Sequence, residues 1–161
     1  MGTSMDTKEF RRVMGQFTTG VTVVTIPEAD TVHGMTANSF TSVSLEPPLI
    51  LISIDKRARA HEMVEHVGRF GVTILKASQQ GVSHHFAGKP DEKVEAALEF
   101  DWFGDVPVLR EGLARLSCRL WATYDGGDHT LFVGLVETMV REESAAEPLL
   151  YFQGNYRRIG E

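Results

Sequence analysis

The sequence has little cysteine, no long apolar run and no excess of positive charge. Cys118 is the one cysteine among 161 residues, which excludes an intramolecular disulfide framework and a cysteine-rich metal site. No apolar run reaches the roughly 20 residues that a bilayer-spanning helix needs, and the N-terminal residues show no apolar signal-peptide core. The net charge of −6 argues against nucleic-acid binding, which favours a basic surface. We therefore expect a cytoplasmic protein that binds neither membrane nor nucleic acid.

Familiar nucleotide-binding and metal-binding motifs are also missing. The chain contains neither G-x-G-x-x-G nor G-x-x-x-x-G-K-[ST], so no Rossmann or P-loop site is indicated. His84 and His85 are adjacent, and side chains at adjacent helix positions diverge by about 100°, which keeps them from sharing one ion. No metal site is expected.

What the chain does have is many β-branched residues interspersed with 15 glycines. Its length suits a single domain over residues 1–161, large enough to bury roughly 70% of the surface of the unfolded chain. Residues 1–5 are set apart as a disordered or cloning-derived segment, because Gly2-Thr3-Ser4 reads like a cloning remnant ahead of Met5.

Hydrophobic periodicity predicts three short helices and six or seven strands. The helices are expected at 6–20, 57–67 and 78–98, the last one interrupted near Gly88. Strands are expected at 21–26, 32–45 (with Gly34 as a bulge), 49–54, 70–75, 116–124, 130–140 and 149–152. Hairpin-joined strands without regular βαβ alternation indicate a mainly β fold, an antiparallel barrel with peripheral helices.

The most unusual segment is 34–44, which concentrates five hydroxyl residues and Asn38 in a predicted strand and its bend. Hydroxyl and backbone N–H groups suit a phosphate or a polyol chain, because they donate hydrogen bonds without burying charge. Composition by itself favours the plainer alternative, a Ser/Thr-rich edge strand that faces water.

A second segment, 53–61, runs from the end of a strand into the start of a helix and carries Lys56, Arg57 and Arg59. Helix N-termini attract anions, and the three cations add charge complementarity. The alternative is a solvated helix face. Since only the turn at Pro47-Pro48 separates this strand from 34–44, the two segments are expected to be neighbours and to form one phosphate pocket.

A third segment, Gly126-Gly127-Asp128-His129, combines strong turn chemistry with an imidazole at its shoulder. Histidine can act there as an acid, a base or a partner for an anion, although it can also be incidental to the turn. Cys118 lies on the apolar side of an alternating strand, where a small buried side chain is expected rather than a nucleophile.

Five segments, taken in order, resemble one protein family, the short-chain flavin reductases of two-component flavin-dependent monooxygenases. The segments are 17–25, 34–45 with Pro47-Pro48, 86–88, 127–129, and 148–152 followed by Gly154 and Tyr156. The resemblance covers the chain from about residue 10 to residue 159. It implies an antiparallel Greek-key, FMN-binding split β-barrel that forms a homodimer. It also implies that NADH or NADPH reduces FMN or FAD, and that the reduced flavin diffuses to a partner monooxygenase.

The resemblance also implies a cofactor site. The flavin would be held by Thr36, Ala37, Asn38, Ser39, Ser42, Val43, Ser53, Ile54, Asp55, Arg59, Ala60 and Phe86. The nicotinamide would lie by His129, Tyr151, Gly154 and Tyr156. His129 is the expected catalytic residue, and our hypothesis is that it orients the nicotinamide or balances charge rather than serving as an obligatory acid. No protein nucleophile is required, because the cofactors supply the redox chemistry.

Two alternatives stay open at this point. One is a non-catalytic flavin- or haem-binding protein on the same barrel, because a fold does not fix a function. The other is an oxidase of the pyridoxine-phosphate type, which calls for more cationic phosphate ligands than the chain offers. The sequence does not distinguish FMN from FAD or NADH from NADPH, and it does not identify the partner oxygenase.

Overall fold

A computed structural model describes residue 2 and residues 4–160. The expectation for residues 1–5 concerns in part Met1 and Thr3, which lie outside the described residues. None of the helices in the described part of the chain is long and apolar enough to cross a membrane.

The described residues form short helices around a set of mostly antiparallel strands. The helices are α1 Thr7–Met14, α2 Arg59–Val67, α3 Gln80–Phe86 and α4 Glu92–Ala97, with a 3-10 turn at Ala77–Gln79. The strands are β1 Thr19–Gly20, β2 Thr22–Glu28, β3 Thr31–Ala37, β4 Phe40–Leu45, β5 Pro48–Asp55, β6 Arg69–Ile74, β7 Phe100–Phe103, β8 Val106–Leu109, β9 Ala114–Gly126, β10 His129–Arg141, β11 Leu150–Phe152 and β12 Asn155–Arg157.

The main sheet has seven strands in the order β3-β2-β6-β9-β10-β5-β4, and each neighbouring pair is antiparallel. Its two edge strands, β3 and β4, are consecutive in the chain and are joined only by Asn38 and Ser39. This short connection brings the two edges of the sheet together, so the sheet curls into a barrel that is split between β3 and β4. The link from β5 to β6 passes through α2, which packs against β2, β3, β5 and β6, so consecutive strands β5 and β6 are separated in the sheet by β9 and β10. The expected mainly β, antiparallel split barrel with peripheral helices is confirmed.

The barrel interior is filled by β-branched and aromatic side chains, which suit a pleated and buried surface. The fully buried members include Val24, Ile26, Ile52, Phe70 and Phe132, and α2 adds Ala60 and Val64. A second apolar cluster, Val21, Val23, Leu75, Leu109 and Leu149, lies outside this interior, and Phe86, Tyr151 and Tyr156 pack against it. Phe86, Tyr151 and Tyr156, which the sequence analysis assigned to the cofactor site, therefore pack against the same apolar cluster.

The predicted strand 32–45 is two strands. The chain leaves the β2 partner after Ala37 and joins β5 from Phe40, so Asn38 and Ser39 belong to neither ladder. Ser39 is held at the bend by its hydroxyl, which donates to the carbonyl of Ser53 at 2.7 Å. Periodicity did not locate this break, because what changes there is the partner strand, which the local residue pattern does not specify.

Gly34 does not form the predicted bulge. It keeps regular register opposite Thr25. A Cβ atom at Gly34 would lie 2.4 Å from the ring of Phe86, so the glycine makes room for an aromatic ring instead. The register shifts of the main sheet lie elsewhere, between Ser42 and Ser44 in β4 and in the β9–β10 pair.

Two other boundaries differ from the sequence prediction. α1 ends at Met14, well before residue 20, because Gly15 caps it and the chain then turns toward β1. Pro48, expected in the turn before the strand at 49–54, is instead the first residue of β5, opposite Leu45, a terminal position that proline tolerates. The short strand β7 was missed, because it pairs only with β8.

Candidate active site

A cleft lies where the end of β3, the end of α3 and the β11–β12 hairpin meet, and we call it the polar cleft. Its lining comprises Val21, Thr36, Ala37, Asn38, Ala87, Tyr151 and Tyr156, and its volume is about 180 Å³. The fold thus brings the three consecutive residues predicted in β3 and at the bend together with the two predicted tyrosines.

Hydrogen bonds between distant segments fix the shape of the polar cleft. The Thr36 hydroxyl donates to the carbonyl of Ser83 at 2.7 Å. The hydroxyl of Ser83, fully buried, lies 2.6 Å from the hydroxyl of Tyr156. Ser83 therefore ties β3, α3 and the terminal hairpin together, and its two partners are 47 and 73 residues away in sequence.

Aromatic rings form one wall of the polar cleft. The rings of Tyr151 and Tyr156 lie 5.4 Å apart at an interplanar angle of 61°, and His84 meets Tyr156 edge-on at 4.9 Å and 82°. Such edge-to-face contacts stabilise ring positions beyond the burial of their area. The hydroxyl of Thr19, whose strand pairs with Tyr151, is buried and has no hydrogen-bond partner within residue 2 and residues 4–160. The two tyrosine rings offer a flat apolar surface, and the unpaired hydroxyl of Thr19 lies on the strand next to Tyr151.

The bend at Asn38 and Ser39 connects the polar cleft to β5. The Ser39 hydroxyl accepts from the backbone N–H of Ser53 at 3.2 Å in addition to donating to the carbonyl of that residue. The side-chain amide of Asn38 is exposed and makes no hydrogen bond with the rest of the described chain. Ser39 is thus occupied in shaping the bend, whereas Asn38 retains its donors and acceptor for a ligand.

Charged side chains gather just beyond Ser53, at the last residues of β5, where it pairs with the start of β10. We call this group the charged corner: Asp55, Lys56, Arg57, Asp125, Asp128 and His129. His129 lies opposite Asp55 in the β5–β10 ladder, and the N–H of Lys56 donates to the carbonyl of Asp128 at 2.9 Å. The turn predicted from Gly126 and Gly127 therefore sets His129 beside β5.

The imidazole of His129 is oriented by its neighbour. Nδ1 of His129 lies 2.7 Å from Oδ1 of Asp128, and since an ionised carboxylate only accepts hydrogen bonds, the ring nitrogen donates. Nε2 remains available, and the His129 side chain is 40% exposed. The arrangement can present one ring nitrogen to a ligand at a fixed angle.

The carboxylates of the charged corner stay ionised at neutral pH. Hydrogen bonds from the Arg57 side chain and backbone hold the pKa of Asp55 well below its usual range. The hydrogen bond from His129 lowers the pKa of Asp128 as well. An electron-rich or anionic ligand that approaches His129 therefore meets a corner in which cationic and anionic groups are already paired.

Arg59 begins α2 and reaches away from the charged corner. Its guanidinium Nη2 forms an ion pair with Oε1 of Glu28 at the end of β2. Both residues line a separate open cavity of about 720 Å³ between α2 and the β2–β3 hairpin. The N-cap residue Ala58 offers no side-chain oxygen to the first turn of α2.

Several predicted residues lie outside the polar cleft. Ile54 and Ala60 are each 1% exposed within the barrel core, so a cofactor could reach only their backbone. Ser42 and Val43 are exposed on the edge strand β4. Phe86 lines another cavity together with Trp102, although its neighbour Ala87 lines the polar cleft.

The remaining predicted residue, Gly154, lies at the turn of the terminal hairpin, where its φ of +77° suits a glycine. It lines a cavity with Gly15, Gln16 and Gln153 rather than the polar cleft. The site residues named from sequence thus fall into the polar cleft, the charged corner, the cavity at Arg59 and these outlying positions.

Sequence reasoning missed three residues that build the site. Ser83 and His84 hold Tyr156, and Glu28 pairs with Arg59. No local motif marks them, because each acts through a partner at least 31 residues away.

The chemical groups of these residues match the parts of a flavin. Tyr151 and Tyr156 offer surface for a flat ring, Asn38 offers hydrogen bonds for a polyol chain, and Arg59 offers a cation for a phosphate. The polar cleft, at about 180 Å³, is smaller than the roughly 300–1,000 Å³ of typical ligand pockets. A whole flavin therefore has to extend beyond the cleft.

Comparison with known proteins identifies the family. The sequence profile described as "Flavin reductase like domain" matches residues 14–160. An NADH-dependent flavin reductase of a Rhodococcus species is 43% identical over 152 residues, which covers 92% of this chain and 84% of the relative. The reductase component of 4-hydroxyphenylacetate 3-monooxygenase from Thermus thermophilus is 44% identical over 150 residues, 93% of this chain and 95% of the relative.

The structural comparison agrees. The NADH:FAD oxidoreductase SgcE6 of Streptomyces globisporus, solved in complex with NAD and FAD fragments, superposes with a TM-score of 0.87 and 39% identity, covering 99% of this chain and 96% of SgcE6. The profile and the relatives span almost the whole barrel, including both the polar cleft and the charged corner. The chain belongs to the flavin reductase family of oxidoreductases.

Proposed function

We propose that this protein is an NAD(P)H:flavin oxidoreductase, in which hydride passes from NADH or NADPH to FMN or FAD and the reduced flavin then serves a partner monooxygenase. One observation about the molecule carries the proposal. A continuous set of contacts runs from Asn38 in the polar cleft through the Ser39–Ser53 hydrogen bonds along β5 to Asp55 and His129. A flavin group and a nicotinamide group can therefore be held by one short stretch of barrel.

The protein contributes position and electrostatics to this reaction. A bound flavin supplies the hydride acceptor, and its reduction adds negative charge to one edge of the ring. Asn38 and the backbone N–H groups of the bend can donate to the polyol chain and to that edge. Tyr151 and Tyr156 form a wall that limits access of water and favours stacking of two flat rings.

His129 has an orienting role in this proposal. Because the Nδ1–H of His129 donates to Asp128, Nε2 of the neutral ring can accept from the carboxamide N–H of a nicotinamide, while the protonated ring can balance developing charge. No proton has to leave His129 during the hydride step, so the residue is not required as an acid.

The decisive experiment is anaerobic mixing of the purified protein with each pair of NADH or NADPH and FMN or FAD. Loss of oxidised-flavin absorbance, with turnover over many equivalents, is the expected result. Stoichiometric flavin binding without nucleotide-dependent reduction would favour a non-catalytic flavin carrier. The four pairs also assign cofactor preference. Addition of a monooxygenase component then tests whether reduced flavin is transferred by diffusion.

We also propose that the working unit is a homodimer. Large apolar side chains are exposed on α1, after it and on the sheet edge, including Phe10 at 50%, Phe17 at 79% and Leu45 at 96%. Exposed large apolar side chains are candidates for contact with a second chain, and the small volume of the polar cleft favours a site completed by a second copy. Light scattering after size-exclusion chromatography tests this; a mass of one chain contradicts it. The cytoplasm, where the reduced nicotinamide nucleotides are available, is the proposed compartment.

A further inference from the structure

A cavity of about 440 Å³ lies between α1 and the turn of the β11–β12 hairpin, and we call it the arginine cavity. The lining contains two arginines, two glutamines, two glycines and, among the described residues, no carboxylate. Its members are Arg11, Arg12, Gly15, Gln16, Gln153 and Gly154. The volume falls within the roughly 300–1,000 Å³ of typical ligand pockets. On a chain whose net charge is −6, this lining is suited to an anion.

The turn of the hairpin is fastened to the end of α1, which fixes the two walls of the arginine cavity. The backbone N–H of Gln153 donates to the carbonyl of Gly15 at 2.9 Å, and its side-chain amide donates to Oε1 of Gln16 at 3.1 Å. A Cβ atom at Gly15 would lie 3.5 Å from Cα of Gln153, so helix and turn are in close approach. Gln153 adopts a φ of +51°, which is uncommon for a residue other than glycine.

Helical periodicity places both arginines on the side of α1 that faces the turn. Arg11 lies one helical turn before Gly15, and Arg12 is displaced from Arg11 by about 100°. Arg12 forms an ion pair with Glu9 at 3.3 Å, in which both side chains are exposed. The Arg11 side chain makes no hydrogen bond or ion pair with the residues that the structure describes. At least one guanidinium is therefore available to an anionic ligand.

The arginine cavity lies just beyond the tyrosine wall of the polar cleft. Tyr151 and Tyr156 are paired directly in the β11–β12 ladder, and Gln153 begins the turn two residues farther, about 7 Å along the strand. A nicotinamide nucleotide carries its first phosphate one ribose away from the nicotinamide ring. With the nicotinamide at the tyrosines, as in the proposed function, the phosphates come to lie near the turn.

We propose that the arginine cavity binds the phosphates of NADH or NADPH through Arg11 and Arg12. This inference rests on the proposed flavin reductase function and assigns the part of the nucleotide that does not react. A guanidinium binds a phosphate through two parallel charge-assisted hydrogen bonds, which give orientation as well as affinity. Binding of the phosphates then holds the nicotinamide at the tyrosine wall, so a substrate without phosphates loses this contribution to its position.

The test compares a nicotinamide substrate that carries phosphates with one that carries none. Arg11→Gln is expected to lower kcat/KM for NADH by about fivefold, the effect of one exposed charged contact, and the added change Arg12→Gln lowers it further. The kcat/KM for reduced nicotinamide riboside, which has no phosphate, is expected to stay unchanged. Lys8→Gln is the matched control, because it removes the same charge from an exposed position of α1 that does not line the cavity. Its effect on NADH is expected to be smaller.

Two further measurements separate a phosphate contact from a structural role of the arginines. Added KCl screens exposed charges, so it should lower kcat/KM for NADH less steeply in the double variant than in the native protein. Arg11→Lys keeps the charge without the planar fork and should retain part of the native value. An unchanged ratio of kcat/KM between NADH and reduced nicotinamide riboside in the double variant would overturn the inference. A weaker affinity for FMN with native kinetics for NADH would also overturn it, because the arginines would then hold a flavin phosphate.

Direct binding distinguishes this inference from the function on which it rests. Titration of the protein with NADH and with reduced nicotinamide riboside, followed by nicotinamide fluorescence, measures affinity without flavin or turnover. If the native protein reduces no flavin, the reductase proposal fails, while the affinity ratio of the two nicotinamide compounds in the double variant still decides the role of the arginine cavity. None of the residues of α1 is buried, so these variants are expected to fold, and circular dichroism checks this. Equal affinity of the native protein and the double variant for NADH would overturn the inference.

Discussion

The polar cleft and the charged corner both adjoin the Ser53–Asp55 end of β5 and are built on different principles. In the polar cleft, hydroxyl groups hydrogen-bond to other parts of the protein: Thr36 to Ser83, Ser83 to Tyr156, and Ser39 to Ser53. In the charged corner, exposed side chains are paired with each other, as in Lys56 with Asp125 and His129 with Asp128.

The difference indicates what each region can do. Hydrogen bonds between buried groups resist rearrangement, because a broken bond leaves an unsatisfied group away from water. Exposed ion pairs exchange at little free-energy difference. The polar cleft therefore fixes a shape that selects a ligand, whereas the charged corner can adjust its charges to a nucleotide that binds and leaves in each turnover.

The largest effect is expected from filling the polar cleft. Asn38→Trp places an indole in a cleft of about 180 Å³, so we expect the KM for FMN and FAD to rise by about 100-fold, equivalent to about 2.7 kcal/mol. Steady-state kinetics with NADH in excess measures it. Ser144→Trp adds the same side chain to an exposed loop and should leave the KM unchanged. An unaltered KM for flavin in Asn38→Trp would remove the polar cleft from the flavin site.

The next effect belongs to the charged corner. His129→Ala removes the oriented ring nitrogen, and we expect kcat/KM for the nicotinamide nucleotide to fall about tenfold, equivalent to about 1.4 kcal/mol, while flavin affinity stays nearly unchanged. Kinetics with either substrate varied separates the two effects. His66→Ala, an exposed histidine on α2, is the matched control. Native kinetics in His129→Ala would show that His129 serves only the turn.

A smaller effect is expected from one hydroxyl of the polar cleft. Tyr156→Phe removes the partner of the buried Ser83 hydroxyl, which should lower the free energy of unfolding by about 1 kcal/mol. A chain of this length then melts about 2–4 °C lower. Tyr151→Phe is the control, because the Tyr151 hydroxyl makes no hydrogen bond within the part of the chain that the structure describes. Equal melting temperatures for the two variants would contradict the role of Ser83.

A still smaller effect should follow from loosening the orientation of His129. Asp128→Asn removes the charge of an exposed partner, so we expect a two- to threefold fall in kcat/KM for the nicotinamide nucleotide, a range typical of exposed pairs. Asp105→Asn, which breaks an exposed pair with Arg69 instead, should have no such effect. If Asp128→Asn lowered kcat/KM as much as His129→Ala does, the Asp128–His129 pair would be essential for the position of the imidazole. The charged corner would then be as rigid as the polar cleft.

No effect on activity is expected from the thiol that lies in the barrel core, away from both regions. Burial raises the pKa of Cys118 to about 12. At pH 8 about one molecule in ten thousand carries the thiolate, the form that reacts with disulfide reagents. The folded protein should therefore show no reactive thiol in a colorimetric thiol assay, and the unfolded protein should show one. Rapid labelling of the folded protein, with loss of activity, would contradict this.

Much of the fold could be predicted from local patterns. The Val- and Thr-rich run near 21–26 is strand β2, and Gly126-Gly127 joins the two longest strands. A bend within 34–44 was expected, but its position at Asn38 and Ser39 could not be predicted, because it depends on a change of partner strand rather than on local propensity. The bulge predicted at Gly34 was wrong for a similar reason: only the fold reveals that Phe86 occupies the space beside it.

The site was predictable in part. The family resemblance assigned five residues to the cofactor site that the fold brings together in the polar cleft: Thr36, Ala37, Asn38, Tyr151 and Tyr156. The roles proposed for them and for His129 stay predictions until the variants are measured. Ser83 and Glu28 were beyond the reach of sequence reasoning, because a buried serine and a strand-end glutamate are ordinary in isolation.

The sequence by itself determined which local structures form and which family the chain resembles, because turn chemistry, strand propensity and motif order are properties of neighbouring residues. The tertiary structure alone decided that β3 and β4 meet at the split of the barrel, that Ser83 holds Tyr156, and that Glu28 reaches Arg59. Contacts of this kind depend on which strands pair and where a helix docks. Those choices are set by the burial of the whole apolar surface at once, so no single segment encodes them.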